Sequence, residues 1–338
     1  MRLSYQTRCT LKRLGKTMLL VLVVGAIFFG LWLLWLNRYV VYTRDGGAIL
    51  DFSKSVQELS GQVAVRPPER EPVSIYFSDG KDVNTGTELT KLKGYYVLGS
   101  ELEVDIDAVI EKVQNLPKGT AVMVDVKSAY GNFFYSSSVS DWRNGDLDTE
   151  KMDRLIKVLN QGSLYTIARL PAFRDYKYAY YNDSQGLPLY GVGVYSDNSG
   201  YYWLNPAHDG VQLYLTQIAL ELRDLGFDEV LFSDFYIPSS GSINFNQDRK
   251  QTAENAAKIL AETCADDSFT VSFTQEADFN LPDGRTRLYL EDVSAEQVAS
   301  TVESTGLEMP DVKVVFRTEL HDTRFDDYGV LRPLATLH

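Results

Sequence analysis

Ala121-Val122-Met123-Val124-Asp125-Val126 sets five apolar residues around one carboxylate. A strand that is apolar at every position, instead of at alternate ones, is buried on both faces, the condition of a parallel sheet covered by helices. Working outward, similar short runs recur at 94–98, 164–170, 229–232, 269–273, 287–290 and 312–316, and 329–334 can supply an eighth. Between them lie segments of helical period at about 104–114, 148–160, 210–225, 248–264 and 294–304. In the first of these, Val104, Ala108, Val109 and Val113 share one face. Strand and helix in alternation predict a (β/α)8-type (TIM) barrel, irregular or incomplete at its C-terminal end because the last segments are short. An open doubly wound sheet is the structural alternative.

The run 18–36 contains no charged residue and approaches the roughly 20 residues that cross a hydrocarbon core. Arg2, Arg8, Lys12, Arg13 and Lys16 precede it, which by the positive-inside bias keeps the N-terminus in the cytoplasm. Cleaved signal peptides have apolar cores of about 7–15 residues. This run is longer, and Trp32 and Trp35 sit near its far end. The expected organisation is a cytoplasmic basic tail at 1–17, a single transmembrane helix at 18–36, a stalk at 37–92 with at most a short strand at 73–77, and an extracytoplasmic barrel domain at 93–338.

Every acidic residue lies beyond position 44, so the chain from Asp45 onward carries 26 basic against 46 acidic residues. Phosphate binding needs a basic footprint, and nucleic acid is therefore not an expected partner. Cys9 and Cys264 fall on opposite sides of the predicted span and cannot pair. His208 and His321 are not spaced as zinc ligands on one helix. Neither a Gly-x-Ser-x-Gly elbow nor a Gly-rich phosphate loop in a strand–turn–helix setting occurs. No metal and no cofactor is expected.

In a βα barrel the site forms at the C-terminal ends of the strands. Asp125 and Lys127 end the second strand, Arg169 the third and Asp234 the fourth. Glu276 follows the fifth, Glu291 and Asp292 the sixth, and Glu319 and His321 the seventh. A ring of carboxylates suits glycoside cleavage, where one acid protonates the leaving oxygen and another attacks or activates water; it also suits a solvated rim. Asp125 stands out, because a charge in a buried strand is costly unless paired or useful. The long connection after the third strand holds nine aromatic residues from Tyr176 to Trp203. Such rings serve either as a platform for sugar faces or as a satellite core.

Several stretches resemble a known family, the glycoside hydrolase-like domains of bacterial exported proteins, a barrel distantly similar to the α-amylase type. They are Lys93-Gly94-Tyr95-Tyr96-Val97, Val124-Asp125-Val126-Lys127 through Tyr130-Gly131-Asn132, Tyr165-Thr166-Ile167-Ala168-Arg169, Trp203-Leu204-Asn205-Pro206 and Leu225-Gly226-Phe227-Asp228-Glu229. The resemblance implies a pocket lined by Asp125, Lys127, Arg169 and Asn205 and an activity on sugar polymers. It departs at Ser233, which occupies the family's acid position, and at Tyr236, which replaces an arginine. The expected site thus comprises Asp234 as nucleophile or base, Glu276 as acid and Asp125 as catalytic groups, with Lys127, Tyr130, Arg169, Trp203, Asn205 and Tyr236 contacting substrate. The expected partner is a carbohydrate polymer, handled by a membrane-anchored glycosidase. The alternative is a catalytically inactive glycan-binding or envelope scaffold protein on the same fold.

Overall fold

The computed structural model describes residues 40–42, 48–50, 88–274 and 279–336. The basic tail, the apolar run 18–36, the strand expected at 73–77 and Glu276 lie outside the described residues. Among the described residues no helix is long and apolar enough to cross a membrane. The chain divides into two units, Met1–Arg66 and Pro67–His338. In the first, β1 (Val40–Tyr42) pairs antiparallel with β2 (Ala48–Leu50).

In the second unit, eight strands follow from the apolar runs: β3 (Lys93–Val97), β4 (Ala121–Asp125), β5 (Tyr165–Pro171), β6 (Glu229–Ser233), β7 (Thr270–Thr274), β8 (Thr286–Glu291), β9 (Val314–Arg317) and β10 (Gly329–Pro333). They pair in parallel in chain order, and β10 closes on β3, with Leu331 opposite Gly94. The barrel is complete, and the open-sheet alternative is excluded. Its irregularity lies in the connections. After β9 the chain has only a short 3-10 turn, Thr323–Phe325, before β10.

Period-2 alternation sorts each strand between two cores. Ala121, Met123, Ile167, Leu231, Tyr289, Val315 and Leu331 fill the barrel interior. Val122, Val124, Ala168, Val230, Phe232 and Val271 face the helices. Both sets are buried, as the unbroken apolar runs require. At Gly94 a side chain would collide with the backbone of Ala121.

Four of the helices described below begin where an aspartate caps them. The helix expected at 104–114 is α2 (Ile106–Gln114), and a short α1 (Gly99–Val104) precedes it in one otherwise helical run. Asp105 breaks it, being extended and accepting the Ala108 N–H at 3.0 Å, a side-chain bond that competes with helix continuation. Asp148 caps α3 (Thr149–Gln161), and Asp175 caps the short α4 (Tyr176–Tyr181), which periodicity did not reveal. Then come α5 (Asp209–Asp224), α6 (Arg249–Cys264), α7 (Val298–Thr305) and α8 (Pro310–Lys313).

A polar layer closes the N-terminal end of the barrel. Glu229 and Arg287 pair through Arg287 Nη1 and Glu229 Oε2, both fully buried. Tyr165 and Tyr289 hydroxyls donate to the Glu229 carboxylate at 2.8 Å each. Arg287 also donates to the carbonyls of Val312 at 3.0 Å and Thr90 at 2.8 Å.

Candidate active site

At the other end, inward-facing residues of the last strand turns converge on a cavity of about 430 Å³. Asp125, Lys127, Arg169, Ser233, Asp234 and Arg317 line it, with the start of α1 and Phe134 on one side. A larger hollow of about 620 Å³ lies along α5, near Glu221 and Asp224. None of its lining residues belongs to a strand, and Glu221 there is already bonded by Tyr135, Ser137 and Ser138. The mouth is the chemically equipped cavity.

Asp125 ends β4 on the inward face. Its Oδ1 accepts from Arg169 Nη1 at 3.0 Å and its Oδ2 from the Gly99 N–H at 2.9 Å, so the charge noted in the sequence is paired. Arg169 reaches across the mouth from β5 to β8, its Nη2 lying 3.7 Å from Glu291 Oε1. Glu291 in turn pairs with Arg317 from β9, and Arg317 lies over the Tyr96 ring. Burial opposes the charge on Arg169, but Asp125 and Glu291 outweigh it and hold the guanidinium protonated. Burial likewise pushes the Glu291 carboxyl up, yet the bond from Arg317 and the charges of Arg169 and Arg317 bring it below its ordinary value.

Asp234 is treated in the opposite way. Burial raises its carboxyl above the ordinary value, Arg174 and Arg169 pull it down without cancelling the rise, and Glu291 and Asp197 add to it. Along an ideal strand it would point away from Ser233. The strand ends at Ser233, however, and Asp234 takes the left-handed conformation with φ 50°. Alternation is broken there, and both residues line the same cavity. A non-glycine residue at positive φ stores strain, and such strain concentrates at functional sites.

The remaining predicted residues divide. Lys127 is wholly buried in an ion pair with Asp175 at 2.6 Å. Asp175 also accepts from Tyr214 OH at 3.0 Å and from the Tyr178 N–H at 2.9 Å. Lys127 thereby fastens α4 to the end of β4. Tyr130 is exposed and stacks on Tyr176 at 4.8 Å, and Tyr176 stacks on Tyr202 at 5.0 Å. Trp142 and Tyr181 stack likewise at 5.4 Å. These rings spend faces on one another, which makes the cluster a packed wall of the rim. Trp203 is buried, donating to Asp197 at 3.2 Å and packing its ring edgewise against Tyr236. The Asn205 side chain accepts the Ala207 N–H in the turn before α5. Trp203, Asn205 and Tyr236 are not among the cavity's lining residues. Glu319 and His321 are exposed beyond the end of β9.

The sequence did not reveal Arg317, or Asp175 and Asp197 as partners of cations, the buried Lys127 and the half-buried Arg174, which binds Asp197 at 2.7 Å. Arg317 was legible in principle, since it ends the seventh barrel strand in the same phase as Val315. Among the described residues, no group of three or more His, Cys, Asp or Glu side chains is arranged to hold a metal ion.

A family model described as "Putative glycosyl hydrolase domain" matches residues 95–278, more than half of the chain. The protein belongs to this family. No curated protein sequence matches the chain. Among solved structures, a hypothetical protein of Ruminiclostridium thermocellum is 20% identical, with 53% of this chain and 96% of that one covered and a TM-score of 0.45. An α-galactosidase of Geobacillus stearothermophilus, in complex with 1-deoxygalactonojirimycin, is 10% identical over 75% of this chain and 40% of that one, TM-score 0.49. A β-N-acetylhexosaminidase of Bacteroides fragilis is 8% identical over 69% and 51%, TM-score 0.49. The chain thus spans about half or less of the length of either glycosidase.

Proposed function

We propose that this glycosyl hydrolase-family protein cleaves a polysaccharide or cell-wall glycan at its barrel mouth, from the outer face of a membrane. Asp234 is the proton donor and Glu291 the ionised carboxylate. One arrangement carries the reading: Asp234 lines the cavity while Glu291, just behind its lining, bridges the lining arginines Arg169 and Arg317, and these surroundings push the first carboxyl toward its protonated form and the second toward its charged form. That division of labour is what glycoside cleavage asks of two acids. Asp234 gives its proton to the leaving glycosidic oxygen as the C–O bond breaks. Glu291 either bonds to the anomeric carbon, to be released by water, or takes the proton of an attacking water. Asp125 and Arg169 position Glu291 through the pair that crosses the mouth. This assigns Asp234 the acid role, where sequence alone suggested nucleophile or base.

Anchoring rests on the uncharged run 18–36 and the basic residues before it. The net negative charge beyond Asp45 supports a carbohydrate partner over nucleic acid.

The test is incubation of the full chain with bacterial wall and plant glycans, following released reducing ends beside Asp234→Asn. Release abolished by the substitution supports the reading, and release indifferent to it removes Asp234 from the reaction. Binding without any release favours a second reading, a silent glycan-binding protein. That reading draws on Ser233, which presents a hydroxyl where the family resemblance expects an acid, and on the Arg169–Glu291 pair lying across the entrance.

A further inference from the structure

The mouth contains buried polar atoms that the protein leaves without hydrogen-bond partners. They are Ser233 Oγ, Arg169 Nε, Arg317 Nε and Glu291 Oε1, together with Lys127 Nζ, whose charge is nonetheless paired with Asp175 at 2.6 Å. Ser233 is 2% exposed, and Ser233, Arg169 and Arg317 all line the cavity. Buried donors without partners cost about 1–3 kcal/mol each, so a cluster of them calls for a ligand. The first three of these atoms donate, and donors ask for oxygen acceptors.

The charge around them decides which oxygens. Asp125, Asp234 and Glu103 line the cavity and Glu291 bridges its two arginines, whereas the third cation, Lys127, is committed to Asp175. With Asp234 protonated, the carboxylates Asp125, Glu103 and Glu291 still outnumber the two guanidiniums, which already carry Asp125 and Glu291. A further carboxylate brought into this space would meet like charge in a partly desolvated setting.

We propose that the mouth selects a neutral sugar unit over an acidic one, with uncharged oxygens of that unit accepting from Ser233 Oγ and from the Nε–H groups of Arg169 and Arg317. The inference rests on the glycan reading above and names its substrate class. Ser233, the residue that departs from the family resemblance, then becomes a specificity-determining contact.

The experiment is calorimetric binding to the full chain in mild detergent, at low salt, with cellotetraose, chitotetraose and tetragalacturonate as probes. At least one neutral probe is expected to bind ten times or more tighter than tetragalacturonate. Ser233→Ala should weaken that probe about fivefold, the loss of one net hydrogen bond, while Ser240→Ala leaves it unchanged and both variants keep the wild-type melting temperature. Tetragalacturonate binding as tightly as the neutral probes overturns the inference and leaves the glycan reading standing. So does an unchanged affinity in Ser233→Ala. Failure of all three probes to bind overturns the inference together with the glycan reading.

Discussion

Both ends of this barrel hold an arginine against a glutamate, and the two pairs differ in what surrounds them. At the floor, Glu229 and Arg287 are sealed, and tyrosine hydroxyls and backbone carbonyls engage the atoms the pair leaves over. At the mouth, Glu291, Arg169 and Arg317 are about one-fifth exposed, and each keeps an atom without a partner. A buried ion pair with all its hydrogen bonds made can only stabilise or specify the fold. One with atoms left over can still receive something. The contrast follows the division of labour in βα barrels, in which the N-terminal face serves stability and the C-terminal face chemistry.

Four measurements can break or sharpen that contrast. The largest effect belongs to the mouth: Asp234→Asn should lower kcat on a responsive glycan about 10²–10⁴-fold without moving the melting temperature downward. A large loss of stability would instead make Asp234 a structural residue like those of the floor. Next comes the floor. Arg287→Met strands the Glu229 charge and should cost about 3–5 kcal/mol in chemical denaturation, with activity per folded molecule preserved. Lys127→Met should behave similarly through Asp175, loosening α4 as well, which hydrogen exchange at 176–181 would register.

The third measurement is pH dependence. Activity needs Glu291 ionised and Asp234 protonated, so the rate should rise through a Glu291 pKa below the ordinary 4.5 and fall through an Asp234 pKa above the ordinary 3.8. Stability carries the same signs. A depressed Glu291 contributes above its unfolded pKa and loses that contribution as pH falls through the folded one. The melting-temperature difference between wild type and Glu291→Gln should therefore shrink in acid. The smallest effect lies outside both ends: Asp107, paired with Lys151 and Arg154 on the surface, should tolerate Asp107→Ala with no measurable change in thermal melting, since exposed pairs contribute little.

Much of the barrel was legible because its strands are buried on both faces, which writes continuous apolar runs into the sequence. Strand ends depart from the apolar runs by a residue or two where pairing, not hydropathy, sets the limit: β5 continues to Pro171 because Pro171 pairs with Ser233. Asp125 and Arg169 were visible as charges at strand ends, and both reached the mouth. Trp203 and Tyr236 looked equally suited to sugars and are instead engaged with each other. Ring type alone does not say whether a face is spent on a neighbour.

The sequence by itself determined the parallel βα architecture, the acidic balance and the ring of polar strand ends, since these follow from local composition and period. Only the tertiary structure decided that the eighth strand closes the barrel, that Asp234 turns into the cavity through a left-handed backbone, and that Lys127 is consumed by Asp175, 48 positions away along the chain. The reason is physical. Burial and periodicity are summed over neighbours in the chain, whereas the protonation and availability of a side chain are set by groups that folding brings from elsewhere.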